Sequence, residues 1–138
     1  MPAKYQLEII TPERTVFSGE VESVIVPTPD GYLSIQKMHE PMVCALSIGL
    51  LRLNIDGEWR ECSVTEGFVE VRPDETLIFA QAAEWPEEID MLRAKEAKER
   101  AEARLRERQS YQEYMQNQIA LARAMVQLRV GRKKQNLD

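Results

Sequence analysis

Apolar residues recur at every second position through the first part of the chain and at every third or fourth position after it. Tyr5, Leu7 and Ile9 alternate with Gln6, Glu8 and Ile10. Successive side chains of a strand point to opposite faces, so this pattern predicts a half-buried strand. Thr11-Pro12-Glu13-Arg14 breaks it, and strand-like runs follow at residues 15–17 and 21–26, divided at Ser18-Gly19. Pro27, Pro29 and Asp30-Gly31 then mark a turn, because proline presets φ and glycine supplies the positive φ of a tight reversal. Residues 32–35 and 42–46 read as strands around the polar loop Gln36-Lys37-Met38-His39-Glu40-Pro41, which holds the one histidine. Leu51, Leu53 and Ile55 alternate with Arg52 and Asn54 up to Asp56-Gly57, a hairpin signal. A two-residue turn there would set Arg60 opposite Leu53, so a longer or bulged loop is expected. Val69 and Val71, then Pro73-Asp74, then Leu77 and Phe79 add a strand, a turn and a strand. The count of about eight to ten short strands at regular spacing predicts a sandwich or barrel.

The period changes at Glu84-Trp85-Pro86-Glu87-Glu88-Ile89-Asp90-Met91-Leu92-Arg93-Ala94. Six of the seven prolines and five of the six glycines precede Trp85. Proline is tolerated in the first turn of a helix, and Glu87, Glu88 and Asp90 suit the positive end of a helix dipole, so a helix is expected to start at Pro86. It runs to about residue 108, with Ala94, Ala97, Ala101 and Leu105 as a narrow stripe and Glu96–Arg100 and Glu102–Arg106 as pairs on a solvated face. Gln109-Ser110-Tyr111 predicts a reversal into a second helix over residues 112–129. Its stripe is Met115, Ile119, Ala122 and Val126, beside Leu121, Met125 and Leu128. Gly131 is expected to end it, ahead of the basic Arg132-Lys133-Lys134. The fold class is therefore an all-β sandwich over residues 1–85 followed by an antiparallel two-helix hairpin over residues 86–138. A hairpin whose seam is partly alanine holds itself together weakly, so it is expected to be able to detach.

Composition and charge change this picture in one respect. The 138 residues carry a net charge of -5, divided unevenly. Residues 1–85 hold 6 Lys+Arg against 14 Asp+Glu, hence -8, and residues 86–138 hold 12 against 9, hence +3. A chain polarised in this way points to two parts that face different surroundings or, at times, each other. No apolar run approaches the roughly 18 residues of a membrane span. The start lacks a basic segment followed by a long apolar one, so a cytosolic setting without direct membrane insertion is expected. Cys44 and Cys62, without metal-type spacing, are expected as two reduced, half-buried thiols. His39 beside Glu40 lacks a nucleophile, and adjacent loop side chains point apart, so a structural or interface role is favoured over acid–base catalysis. No glycine-rich phosphate cradle or metal cluster is present, and no cofactor is required. The arginines of the first helix are interleaved with glutamates, so a solvated face outweighs nucleic-acid binding. Asp90 and Arg93, three apart at the helix start, read most simply as capping the helix and pairing with each other.

Leu7-Glu8-Ile9-Ile10-Thr11-Pro12-Glu13-Arg14 with Phe17-Ser18-Gly19, residues 31–41, and Glu66-Gly67-Phe68-Val69-Glu70-Val71 are the pieces that carry a family likeness. Ile89-Asp90-Met91-Leu92-Arg93-Ala94, at the β-to-α junction, is the most specific of them. Together they resemble the ε subunits of bacterial F-type ATP synthases over essentially the whole chain. The resemblance implies a non-catalytic rotor subunit of the central stalk, peripheral on the cytoplasmic face of the plasma membrane. It would couple the c-subunit ring to the γ subunit for proton- or sodium-driven ATP synthesis. The hairpin would extend into the catalytic α/β head and restrain ATP hydrolysis.

The resemblance further implies ATP as a regulatory ligand, held by Glu84, Ile89, Asp90, Arg93, Ala94, Arg100 and Arg123. Gln127 stands where a further arginine belongs. The rotor contact would involve Gly31, Tyr32, Gln36, Lys37, Met38 and His39, where Ser34-Ile35-Gln36-Lys37-Met38-His39 replaces a Gly-Ile-x-Pro-Gly-His pattern. Inhibitory contacts would come from Arg104, Arg106, Arg108, Arg132, Lys133 and Lys134. The alternative is a free cytosolic nucleotide-binding sensor or adaptor of similar fold with no stalk role.

Overall fold

The computed structural model describes residues 3–107 and 110–137, with backbone alone for 133–137. The chain divides into two compact units, Met1–Glu84 and Trp85–Asp138.

The first unit is built from ten strands: β1 (Tyr5–Ile10), β2 (Thr15–Val21), β3 (Ser23–Thr28), β4 (Gly31–Gln36), β5 (Met42–Leu46), β6 (Gly49–Ile55), β7 (Glu58–Val64), β8 (Gly67–Val71), β9 (Glu75–Ala80) and β10 (Ala83–Glu84). They form two five-stranded sheets, ordered β2-β1-β9-β8-β5 and β10-β7-β6-β3-β4. All pairs are antiparallel except β1 with β9, which run parallel with Gln6 beside Glu75. The alternation in β1 is realised: Tyr5, Leu7 and Ile9 are buried and Gln6, Glu8 and Ile10 are half-buried. Leu7, Ile9, Val69 and Ile78 from one sheet, and Val24, Val26, Leu51 and Leu53 from the other, retain no exposed surface. Each such side chain contributes roughly 1.5–3 kcal/mol relative to exposure. One polar tie crosses this core. Tyr5, on β1 of one sheet, donates its hydroxyl proton to the carbonyl of Ile35, on β4 of the other, at 2.6 Å.

Two local expectations are corrected. Ser18-Gly19 does not divide the second strand; β2 continues through it to Val21, and Glu22 is the bend before β3. Gly19 instead makes room for its neighbour's ring, since a Cβ there would lie 3.3 Å from Phe17 Cζ. The Asp56-Gly57 turn is the two-residue one, with Ile55 opposite Glu58 and Arg60 opposite Leu53. Both turn residues adopt positive φ, +52° and +87°, as the right-handed twist of a hairpin requires. The side chain of Asn54 braces the turn, its Oδ1 accepting from the Gly57 N–H at 2.9 Å. Exposed Arg60 opposite fully buried Leu53 is no contradiction. Cross-strand pairing fixes which face two side chains share, whereas Leu53 is also covered from its other neighbour, Val24 of β3.

The second unit opens with a single 3-10 turn, Pro86–Glu88, followed by α1 (Met91–Leu105) and α2 (Tyr111–Leu137). The expected helix start at Pro86 is thus split. Ile89 and Asp90 are extended, with ψ of 124° and 102°, and the α-helix begins one residue later than the acidic cluster. Local bonds decide this. The Glu88 carboxylate folds back to accept from the Trp85 N–H at 3.0 Å, the one half of a capping box open to tryptophan, whose indole only donates. α1 stops at Leu105 and caps at Arg106; the rest of the expected run, Glu107 and Arg108, is a bend and a residue outside those described. The reversal before α2 rests on Ser110, whose Oγ accepts from the Glu113 N–H at 3.2 Å; Gln109 lies outside the described residues.

The helices pack side by side, and two features of α2 differ from expectation. Ala124 and Leu128 are buried in α2, as Ala94 and Ala101 are in α1, whereas Met115 and Ile119 stay 42% and 40% exposed. The stripe of Met115, Ile119, Ala122 and Val126 lies on the other side of the helix from Ala124 and Leu128, because two positions correspond to a 200° rotation. Apolar residues ring α2 instead of marking one face, so periodicity alone could not choose the seam. Gly131 does not end the helix, which continues to Leu137. A Cβ on Gly131 would fall 2.0 Å from the Sδ of Met91, so this glycine serves close packing against the start of α1.

Candidate functional site

The junction residues singled out in the sequence fall into two groups. Glu84 is half-buried in β10 of the first unit, opposite Ser63 of β7, and its backbone carbonyl accepts from Ser63 Oγ at 3.4 Å. Ile89, Asp90, Arg93, Ala94, Arg100 and Arg123 belong to the second unit. Asp90 is the N-cap of α1: its Oδ1 accepts from the Arg93 N–H at 3.1 Å. The cap satisfies one of the four N–H groups that a helix start leaves open, and the carboxylate has further lone pairs facing solvent. The capping reading of Asp90 and Arg93 is therefore realised through the backbone of Arg93, which leaves the guanidinium exposed.

Arg93 and Arg100, two turns apart, share one face of α1, next to the seam residues Ala94 and Ala101. On α2, half-buried Arg123 and Gln127 lie four apart beside Ala124 and Leu128. Cationic and amide side chains thus flank one side of the seam. The other side carries a second basic group: Lys98, Arg129 and Arg132 line an open cleft of about 590 Å³ floored by Met125, Val126 and Leu128. Sequence reasoning passed over Lys98 and Arg129, because only the pairing of the two helices places them on one side. Lys98 also meets Glu102 at 3.6 Å, so Glu102 is engaged from the preceding turn, where Arg106 was expected to serve.

The residues expected to contact a rotor fall at the two ends of the sandwich's edge strand β4, Gly31 and Tyr32 at its start and Gln36, Lys37, Met38 and His39 at and beyond its last residue. Gly31 adopts φ of +120°, Tyr32 is 62% exposed, and Gln36, Lys37 and Met38 project into solvent. Met38 is 87% exposed and holds φ of +73°, a left-handed backbone that side chains with a Cβ rarely adopt. The turn is fixed by the His39 N–H donating to the Gln36 carbonyl at 3.1 Å. His39 Nδ1 lies 2.9 Å from the Glu40 carbonyl oxygen, which only accepts, so Nδ1 carries the proton. His39 is thus engaged with backbone and forms no acid–base pair with the Glu40 carboxylate in this contact.

Of the residues expected to make inhibitory contacts, Arg104, Arg106 and Arg132 are exposed. Arg108 lies outside the described residues, as do the side chains of Lys133 and Lys134. Cys44 is half-buried and Cys62 buried, both outside any disulfide, and burial pushes the Cys44 thiol up. Among the described residues no cluster of His, Cys, Asp and Glu could hold a metal ion, and no helix is long and apolar enough to cross a membrane.

Two family models align with the two parts of the chain. The beta-sandwich domain of the ATP synthase delta/epsilon chain matches residues 4–86, and the long alpha-helix domain of the same chain matches residues 87–131. The chain belongs to the ATP synthase delta/epsilon chain family. Among curated members, the ATP synthase epsilon chain of Ruminiclostridium cellulolyticum is 50% identical over 126 residues, covering 91% of this chain and 94% of that one. The epsilon chain of Caldanaerobacter subterraneus subsp. tengcongensis is 44% identical over 138 residues, covering 99% and 100%. A chain of the Euglena gracilis mitochondrial ATP synthase, solved with OSCP, F1 and c-ring, shares the fold with a TM-score of 0.78 at 22% identity, covering 100% of this chain and 84% of that one. The family resemblance read from the residue motifs, and the sandwich-plus-hairpin fold class, are both met by these findings.

Proposed function

We propose that this chain is a non-catalytic subunit of the central stalk of an F-type ATP synthase, on the cytoplasmic face of the membrane. It links the c-ring to the γ subunit and restrains ATP hydrolysis by the α/β head through its hairpin. What supports this reading is membership of the family across both parts of the chain, with relatives near 50% identity that carry the epsilon-chain name over more than nine-tenths of their length. The exposed residues at the two ends of β4, Tyr32 at its start and Lys37 and Met38 after its last residue, supply the rotor contact. Arg104, Arg106 and Arg132 supply positive charge toward the acidic surface of the head. Such contacts gain more from long-range attraction and register than from pairwise strength.

The hairpin works as a population switch. Its closed form buries an alanine-rich seam, Ala94 and Ala101 against Ala124 and Leu128, so the closed state is only modestly favoured. A ligand that binds one form better shifts the balance by its differential affinity. ATP is that ligand in this reading, with Arg93, Arg100 and Arg123 meeting phosphates and the remaining lone pairs of Asp90 meeting ribose or adenine. Gln127, in place of a further cation, weakens the phosphate contact.

The deciding experiment reconstitutes the assembled ATPase with this chain and with an Arg104→Glu/Arg132→Glu variant. The expected result is co-purification of both with the membrane-bound complex, and faster ATP hydrolysis with the variant. Absence of the chain from the purified complex would refute the stalk assignment. Equal hydrolysis rates would refute the inhibitory role of those arginines. Calorimetric titration with ATP of the native chain and of Arg93→Ala tests the ligand separately, and no heat at millimolar ATP would remove the sensing role.

A further inference from the structure

Met91 is the first residue of α1, directly after the Asp90 cap. Its sulfur abuts α2 at Gly131 so closely that the smallest side chain would collide: a Cβ would stand 2.0 Å from Sδ and 3.3 Å from Cγ. A glycine inside a helix is otherwise unfavourable, so the hole it leaves for Met91 accounts for its presence. Val130 and Leu128 beside it are buried. One end of the hairpin is closed by the covalent connection between the helices, and this knob in its hole closes the open end. The opposite side of Met91 lines a solvent-open cleft of about 470 Å³, shared with Lys95, Lys98, Leu128 and Arg132. Its thioether is therefore both structural and reachable.

We propose that Met91 is an oxidation-sensitive clasp, and that conversion of its thioether to the sulfoxide by hydrogen peroxide opens the hairpin. This rests on the reading that the hairpin leaves its closed form. In the step, a sulfur lone pair attacks one peroxide oxygen and the S–O bond forms as the O–O bond breaks. Sulfur is oxidised by two electrons, and the departing oxygen, with both protons, leaves as water. The product carries a polar S=O that must be hydrated or hydrogen-bonded. Toward Gly131 the sulfur meets helix backbone, whose N–H groups are already engaged, and there is no room for an added oxygen. The oxygen therefore turns into the cleft, which lifts the sulfur out of its hole. Thiol-dependent reduction of the sulfoxide restores the clasp.

Met38, Met125 and Met115, 87%, 51% and 42% exposed, are open to oxidation too, but none of them sits against a glycine as Met91 does. The test is hydrogen exchange of the full chain before and after hydrogen peroxide, with peptide mass spectrometry locating each sulfoxide. Met91→Leu with the same treatment and untreated Met91→Gln, a polar mimic, are measured beside it. Lifting the sulfur out of its hole removes the packing that closes this end of the hairpin, which predicts about tenfold or greater acceleration of exchange in α2 around residues 121–131 once Met91 is oxidised. Met91→Gln should show this without peroxide, and Met91→Leu should resist it. Unchanged exchange in protein whose Met91 is shown to be sulfoxide overturns the proposal. So does a Met91 that stays reduced while Met38 and Met125 are fully oxidised. Opening on oxidation without any change in hydrolysis by the reconstituted ATPase would leave the clasp standing and refute the inhibitory reading.

Discussion

Tyr5→Phe removes one oxygen from the centre of the sandwich and nothing else. The side chain is 6% exposed, and its hydroxyl donates at 2.6 Å to Ile35 on the opposite sheet. The ring stays, so apolar burial is unchanged. What is lost is the net value of the bond, about 1 kcal/mol, together with part of the roughly 1–3 kcal/mol cost of leaving a buried carbonyl without its donor. The expected destabilisation is about 2 kcal/mol, or a fall in Tm of roughly 8–16 °C for a unit of this size.

A second signature comes from pH. Burial holds the Tyr5 hydroxyl well above the ordinary tyrosine range. Above about pH 10 the unfolded chain therefore releases this proton while the folded chain keeps it. The native contribution is complete below pH 10 and declines as pH rises toward the folded value, by up to about 1.4 kcal/mol per pH unit. Phenylalanine has no such proton, so the gap between native and variant stability should narrow from pH 9 to pH 11. The assay is urea unfolding read by Trp59, which lies on β7, in a Trp85→Phe background. A loss below about 0.5 kcal/mol at pH 7 would refute the inter-sheet bond, and a gap constant across this pH range would refute the buried phenol.

Met38→Gly should stabilise the sandwich by up to about 1 kcal/mol, because relief of roughly 1–2 kcal/mol of left-handed strain exceeds the roughly 0.5–1 kcal/mol entropic cost of glycine; urea unfolding that shows destabilisation would contradict the strain at φ of +73°. If the exposed thioether engages the rotor, the same variant should bind the complex more weakly despite its greater stability. Gly67→Ala would place a Cβ 1.8 Å from the Phe79 carbonyl oxygen, which only backbone movement between β8 and β9 relieves. A loss of about 3 kcal/mol is expected, and one below about 1 kcal/mol would be inconsistent with this packing. Asp90→Ala should cost the hairpin about 1 kcal/mol by removing the cap, with Asn restoring most of it. Far-UV circular dichroism melts check this, and an unaltered helical transition would show that the cap is dispensable.

Much of this protein was readable from local pattern. The β1 alternation, the turn residues at Asp30-Gly31 and Asp56-Gly57, the loss of proline and glycine after the junction, and the cap at Asp90 are all effects of neighbours in sequence. The family likeness was carried by short motifs of the same kind. Where competing local signals met, the structure chose. Arg60 opposite Leu53 looked like a broken register, but burial of Leu53 comes from β3 as well, which no two-strand pattern contains. Gly131 carried the mark of a helix end, yet it is spent on Met91, forty positions earlier in the chain. The apolar ring of α2 offered several seams, and only contact with α1 selected Ala124 and Leu128 over Ile119 and Val126. Tyr5 and Ile35, and the cations Lys98, Arg129 and Arg132, are likewise joined only by tertiary packing. Hydrogen bonding and backbone preference act over a few residues, so the sequence by itself determined the elements and their caps. Close packing and burial depend on whatever arrives from elsewhere in the chain, so which faces meet was left for the tertiary structure to decide.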